Sequence, residues 1–438
     1  MRRALLLATL LVLAGCSAPV ASGPDPTATP ETPSDAETTT EPPADGTTTD
    51  PATAEDGALV SVEGPDPDAN ETDLFLRTRR LLEADTEPPG VVVTRSPDVE
   101  FPQSTADVTF RALFVPGVDP DAPQLGRDDG DFPTASPAFY YPGTHTIYLN
   151  PAIVDNPAVD IEEVLLEEFA HAVQFRNETF RTYYDARVEG SRFRGNLTTD
   201  DRLATIAVRE GVGDVFVTAR VQSESLGLAG DETIGAVVDT RYRRNGVGYR
   251  LGFGPYLFGY EYADRRLDRA VDTFSVYADP PESGEQVLHD TDEAPSPLSV
   301  AVEGDLERAR TDTYGELFLR PALTGGLNRS AAARAADGWG NDRLLNVTYD
   351  APSGRDSGFV WVLDWDDADE AAEFSRLFAE YVVERGRPAA DGRYTFEGRE
   401  WDLREVDDTT VAVVVGPTSL HEAVTVETGM GGNLTVSG

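Results

Sequence analysis

The chain has 438 residues, with 36 basic and 78 acidic side chains and a net charge of −42, and every basic residue is arginine. With no basic patch rising out of that background, charge-driven binding to nucleic acid or anionic lipid headgroups is excluded. A single cysteine excludes an intramolecular disulfide.

Dense carboxylates without lysine suit a protein bathed in multimolar salt. The Debye length there is roughly 3 Å or less, so self-repulsion is screened while the carboxylates keep the surface hydrated. Most acidic runs therefore read as solvated faces.

Residues 1–16 begin with Arg2 and Arg3, continue through an apolar run and end in Leu13-Ala14-Gly15-Cys16. The run is too short to span a bilayer and has the shape of a signal peptide, with a lipobox-like end that makes Cys16 a lipid-attachment site. The paired arginines suit export by the twin-arginine route. Export and anchoring to the outer face of the cell membrane through that lipid are the expectation. Residues 17–63 are rich in Thr, Pro, Asp and Glu and lack the large apolar side chains needed to fold, so they form a disordered stalk suited to O-glycosylation. Asn-x-Ser/Thr acceptors stand at Asn70, Asn177, Asn196, Asn328, Asn346 and Asn433.

A globular pattern occupies residues 64–343. It predicts a helix over Glu71–Glu83, a strand at Val91–Thr94 and a helix near Ser104–Phe114. Ala138–Asn150 alternates aromatic and β-branched residues around Pro142-Gly143, the signal of a hairpin. Next, Ile161, Val164, Leu165, Phe169, Ala172 and Val173 recur at helical spacing, describing an amphipathic helix. Glu167 and His171 lie one turn apart on it, with Glu168 beside them. A helix over Asp200–Gln222 carries Glu210, and Gly211 and Gly213 after it would permit close backbone approach. Tyr249–Asp268 and Asp312–Ala336 read as further helix.

Residues 344–428 form a small α+β unit. Its strands are Leu344–Tyr349, Phe359–Trp365, Arg393–Leu403 and Thr410–Val415, and its amphipathic helix is Ala368–Glu384. Residues 429–438 read as a loose tail. His145 at a turn and His421 near the C-terminus are expected to be solvent-exposed.

Four segments carry a resemblance. Glu167-Glu168-Phe169-Ala170-His171 fits the H-E-x-x-H helix of zincins with glutamate in the slot of the first histidine, and His171-Ala172-Val173-Gln174 with Phe180 resembles an H-A-L-Q…F continuation. Asp201–Gly211 resembles the helix that delivers a third ligand, a glutamate followed by glycine. Pro280–His289 resembles P-P-x-x-x-E-Q-V-L-H, with Asp290 where proline is usual. Gly338-Trp339-Gly340-Asn341-Asp342-Arg343 resembles G-W-G-G-D-R, with Asn341 replacing a glycine. In order and spacing, from about Asp66 to Val415, the chain resembles a family of haloarchaeal surface proteins, mostly lipoproteins, with a gluzincin-like core.

The resemblance implies an α+β fold: a mostly helical zincin-like core with an edge hairpin, followed by the small C-terminal unit. It implies Glu167, His171 and Glu210 as metal ligands, Glu168 as general base, and His289 as a contact of the cleft. One imidazole and two carboxylates make a harder site than His₂Glu, and the added charge weakens the metal as a Lewis acid. The expectation is zinc or another divalent cation, or no metal at all, with hydrolysis impaired and the cleft retained for peptides or envelope partners. The competing expectation is an active metal-dependent surface peptidase.

Overall fold

In a computed structural model the described residues are 59–97, 137–154, 156–189, 197–351, 354–396, 398–429 and 434–438. The signal peptide with Cys16, nearly all of the stalk, the helix expected near Ser104–Phe114, and the acceptors Asn196 and Asn433 lie outside them.

Helices and strands mix as α+β. The first sheet has the order β1-β2-β4-β3, from β1 (Val62–Glu63), β2 (Gly90–Val93), β3 (Ala138–Tyr141) and β4 (Thr146–Leu149). β3 and β4 are the predicted hairpin, paired antiparallel with Tyr140 opposite Ile147, and β3 is the outermost strand of this sheet among the described residues. The left-handed residue of its turn is His145, at φ 55, and no positive φ falls on Gly143. His145 is only half-buried, and its ring is held by three hydrogen bonds: Nδ1 lies 2.8 Å from the Tyr140 hydroxyl and accepts from Nε of Arg176 at 3.4 Å, and Nε2 lies 2.8 Å from the Glu87 carbonyl.

The helix Ile161–Gln174 starts where Asp160 caps it, accepting from the Glu162 and Glu163 amides at 3.1 and 3.3 Å. Its apolar stripe packs on the helix Glu71–Leu81 through an edge-to-face contact of Phe75 and Phe169 at 5.5 Å. Amphipathicity holds only for its first turns. From Val164 to Gln174 every residue except half-buried Glu167 is buried, including Glu168, His171 and Gln174. Polar groups inside the core at that density must find partners within the protein.

The predicted Asp200–Gln222 helix is continuous but changes gauge. It runs as α-helix over Thr199–Ile206, π-helix over Ala207–Phe216 and α-helix over Val217–Ser225. A capping box between Thr198 and Asp201 starts it. The helix Val247–Arg266 crosses it at the wide segment. A Cβ on Gly211 would sit 2.5 Å from Gly259 Cα, and one on Gly259 would sit 2.2 Å from the Ala207 carbonyl oxygen. Both glycines are therefore what allows the backbones to touch. Among the described residues no helix is long and apolar enough to cross a membrane.

The C-terminal unit is built on a seven-stranded sheet of order β6-β7-β8-β12-β11-β10-β9. Its strands are β6 (Glu307–Asp312), β7 (Trp339–Ala351), β8 (Gly354–Trp365), β9 (Arg387–Pro388), β10 (Tyr394–Phe396), β11 (Arg399–Glu405) and β12 (Thr410–Gly416), all antiparallel. Phe359, Trp361 and Leu363 face a core shared with the helix Ala368–Arg385, while Val360 and Val362 face a second core. Covered on both faces, β8 shows no polar alternation.

The structure corrects several boundaries. Residues 343 and 344 lie inside β7, and β6 belongs to the same sheet, so the unit begins well before residue 344. The expected tail contains β14 (Leu434–Ser437), which pairs with β13 (Thr425–Thr428) and with β5 (Val300–Glu303), burying Leu434 and Val436 under the large sheet. Asp312–Ala336 is not one helix: β6 ends at Asp312, and the helices Glu316–Leu323 and Arg329–Arg334 are parted by Gly325-Gly326 and restarted by Asn328 as N-cap. Arg393–Leu403 is broken at Gly398, whose φ of +79 turns the chain from β10 to β11.

Two segments singled out by resemblance are held in the fold by buried carboxylates. The Asp342 carboxylate accepts from the amides of Tyr314 and Gly315 and, at 3.1 and 2.9 Å, from the indoles of Trp339 and Trp361. Asp200, on the Glu210-bearing helix, accepts from the Gly284 amide at 2.9 Å. Asp290 sits at φ 57, a left-handed conformation that the usual proline could not adopt.

Candidate functional site

Wide helical pitch and spacing bring Glu210 and Asp214, both on the π-helical segment, to the face that meets His171. Nε2 of His171 lies 3.1 Å from Oε2 of Glu210 and 3.9 Å from Oδ2 of Asp214. The three donor atoms lie within 4.8 Å of one another, and all three residues are buried. Glu167 is not in this group. It lies within electrostatic reach of the carboxylates of Asp214, Glu163 and Glu168, while the residue that stands with His171 and Glu210 is Asp214. Asp214 lies four residues after Glu210, a spacing that puts it on the same helical face and was open to sequence reasoning, which passed over it.

The tautomer of His171 follows from its neighbours. Nε2 of Gln174 donates to the Arg209 carbonyl at 2.9 Å and contacts the Tyr277 hydroxyl at 3.1 Å, which turns Oε1 of Gln174 toward His171. Oε1 can only accept, so Nδ1 of His171, 2.9 Å away, carries a proton and donates it. Nε2 is left to face the carboxylates, either with a lone pair for a cation or with a second proton of its own. Gly213 makes room for this arrangement, because a Cβ there would lie 1.8 Å from Nε2 of Gln174.

The electrostatics of the group favour the second proton. Burial opposes a charged imidazole, but Glu210, Asp214 and Glu168 outweigh it and push the His171 pKa up to about 10. Burial first, then the neighbouring Glu210 and Glu168 carboxylates, push Asp214 up to about 8 against the pull of His171. Glu210 runs the other way: burial raises it, yet Arg209 and His171 together hold it below the ordinary carboxylate value. Burial and the carboxylates of Asp214, Glu163 and Glu168 raise Glu167 well above its usual range, with Arg241 opposing. Protonated His171 is thus a counter-charge for the carboxylates around it.

The same donor set also fits a cation. Nitrogen and oxygen ligands bound to one zinc at about 2.0–2.2 Å lie about 3–4 Å from each other. The 3.1 and 3.9 Å separations around Nε2 fall in that range. Glu168 is buried at the same site, close enough for its charge to act on His171 and Asp214. His171 and Asp214 are 2 % exposed and Glu210 0 %, so no side is open to bulk water.

The remaining candidates are dispersed. His289 is exposed and partners Glu316 and Asp337, away from the His171 group. His421, expected in solvent, is buried, with Nε2 3.2 Å from the Glu400 carbonyl, because the helix Thr418–Ala423 packs on β12. Asn70, Asn177 and Asn328 are helix N-caps using their side-chain oxygens, and Asn346 is half-buried within β7.

The family described as "Domain of unknown function (DUF8575)" matches residues 302–425, from β5 through the first residue of β13. The match covers the seven-stranded unit and none of the His171 group. No curated protein and no solved structure matches the chain.

Proposed function

We propose that this chain is an exported lipoprotein, held on the outer face of the membrane through Cys16. Its zincin-like domain would have lost efficient hydrolysis and would act in binding peptides or envelope partners. One observation carries the reading: the helix that would bear H-E-x-x-H has Glu167 in place of the first histidine, and the remaining His171 is enclosed and hydrogen-bonded to Glu210. A catalytic metal needs a position open to water and substrate, and this group has none. The acidic, lysine-free composition supports a working environment of high salt. The aromatic cluster beside the His171 helix supports a retained recognition surface, with Tyr140 5.9 Å from Phe175 and Phe175 6.4 Å from His171 between ring centres.

The spacing of His171, Glu210 and Asp214 favours a second reading, an active metal-dependent peptidase. A divalent cation would supply Lewis-acid polarisation of a water. His171 and Glu210 would hold it, and Glu168 would take the proton from that water.

The test is elemental analysis of the protein from about Asp66 onward, produced in a high-salt host, beside Glu167→His. One more equivalent of zinc in the variant than in the unmodified protein supports a scaffold whose chemistry was lost at one residue. About one metal per chain in the unmodified protein, with peptide hydrolysis that Glu168→Gln abolishes, overturns the binding reading.

A further inference from the structure

Two sequence segments that the His171 group leaves unused meet elsewhere in the fold. Pro280–His289 ends in the short helix Gly284–His289, and Asp337 immediately precedes the Gly338–Arg343 segment. Between them lies Glu316, the first residue of the helix Glu316–Leu323.

The geometry points to a second cation site here: Nε2 of His289, Oε2 of Glu316 and Oδ1 of Asp337 form a seat for a divalent transition-metal ion such as zinc or manganese. That ion would clip the Gly284–His289 helix to the 302–425 unit. Nε2 of His289 lies 2.7 Å from Oε2 of Glu316 and 3.6 Å from Oδ1 of Asp337, and the three atoms fall within 4.8 Å of one another. An imidazole with two carboxylate oxygens suits this class of ion, with water completing the shell. The 2.7 Å contact is a hydrogen bond. A cation would take the place of its proton, released to solvent, and would widen the contact slightly, which the exposed His289 side chain can follow.

Three features make the seat preformed. Glu316 is fully buried, and Arg320 one turn on fixes its other oxygen at 2.8 Å, so this carboxylate need not reorganise to bind. Each exposed ligand directly precedes a left-handed residue at the end of its segment, His289 before Asp290 at φ 57 and Asp337 before Gly338 at φ +72. Further negative charge surrounds the seat, because Glu285 lies within electrostatic reach of Glu316, Asp366 and Glu293. Unlike the His171 group, this one opens to solvent, so an ion can enter without unfolding.

The test is equilibrium dialysis of the folded chain in molar potassium chloride against zinc chloride, then manganese chloride, followed by elemental analysis and the thermal midpoint. Wild type is compared with His289→Gln, Asp337→Asn and His171→Gln. The expected result is one equivalent that His171→Gln keeps and that His289→Gln and Asp337→Asn each weaken at least tenfold, with a metal-dependent rise in midpoint lost in the same two. Equal uptake by wild type, His289→Gln and Asp337→Asn overturns the site, whatever the His171 group does. His289 and Asp337 are exposed, so that comparison stands even where His171→Gln fails to fold.

Discussion

Gly213 and Gln174 share a space that a single methyl group would fill: a Cβ on Gly213 would lie 1.8 Å from Nε2 of Gln174 and 2.7 Å from the Tyr277 hydroxyl. The glycine therefore sets the direction of the Gln174 amide, and that amide sets the protonated nitrogen of His171.

Gly213→Ala is expected to destabilise the protein by about 1–3 kcal/mol or more, since the pinned Gln174 amide and the Tyr277 hydroxyl occupy the space of the new methyl. Unfolding followed by lowering the salt concentration should show the loss. Nitrogen NMR of His171 should show that Nδ1 has lost its acceptor.

Removing the buried imidazolium leaves carboxylates without their counter-charge. His171→Ala is expected to cost about 3–5 kcal/mol, the usual consequence of breaking a buried charge pair from one side. Asp214→Asn in the same chain should recover part of that loss, because it removes one of the facing carboxylates. A double-mutant cycle on the unfolding midpoint measures the recovery.

Asp200 is buried, and that burial pushes its pKa up to about 8, partly offset by the Gly284 amide. Folded protein therefore binds a proton there that unfolded chain releases above about pH 4. Stability from this group is present below pH 4 and is lost as pH rises toward 8. Asp200→Asn keeps the acceptor for Gly284 and lacks the titration. At fixed high salt its advantage over wild type should grow from pH 4 to 8 in denaturant midpoints, and an unchanged difference across that range would count against it.

Leu434 lies under the large sheet in a core with Leu345, Val347, Val360, Val362 and Leu420. Leu434→Ala is expected to cost about 2–5 kcal/mol by cavity formation. A freely moving tail would give no change, so the unfolding midpoint separates the two descriptions.

What the sequence determined by itself is what short range determines. Apolar spacing placed the helix Ile161–Gln174, and its start follows from the Asp160 cap. Alternation placed the β3–β4 hairpin, and Gly211 and Gly213 marked a close approach that the structure makes with Gly259 and Gln174. Composition set the surface chemistry. Tertiary structure decided what depends on residues distant in the chain. Spacing places Asp214 on the face of Glu210, but only the crossing of two helices brings that face against His171. Leu434–Ser437 looks like a tail because four residues carry little local preference, whereas parallel pairing with Val300–Glu303 makes them a strand. His421 likewise reads as solvent-facing until β12 and the helix Thr418–Ala423 close over it. Local backbone preferences act within a turn or two of chain, while burial is a property of the assembled core.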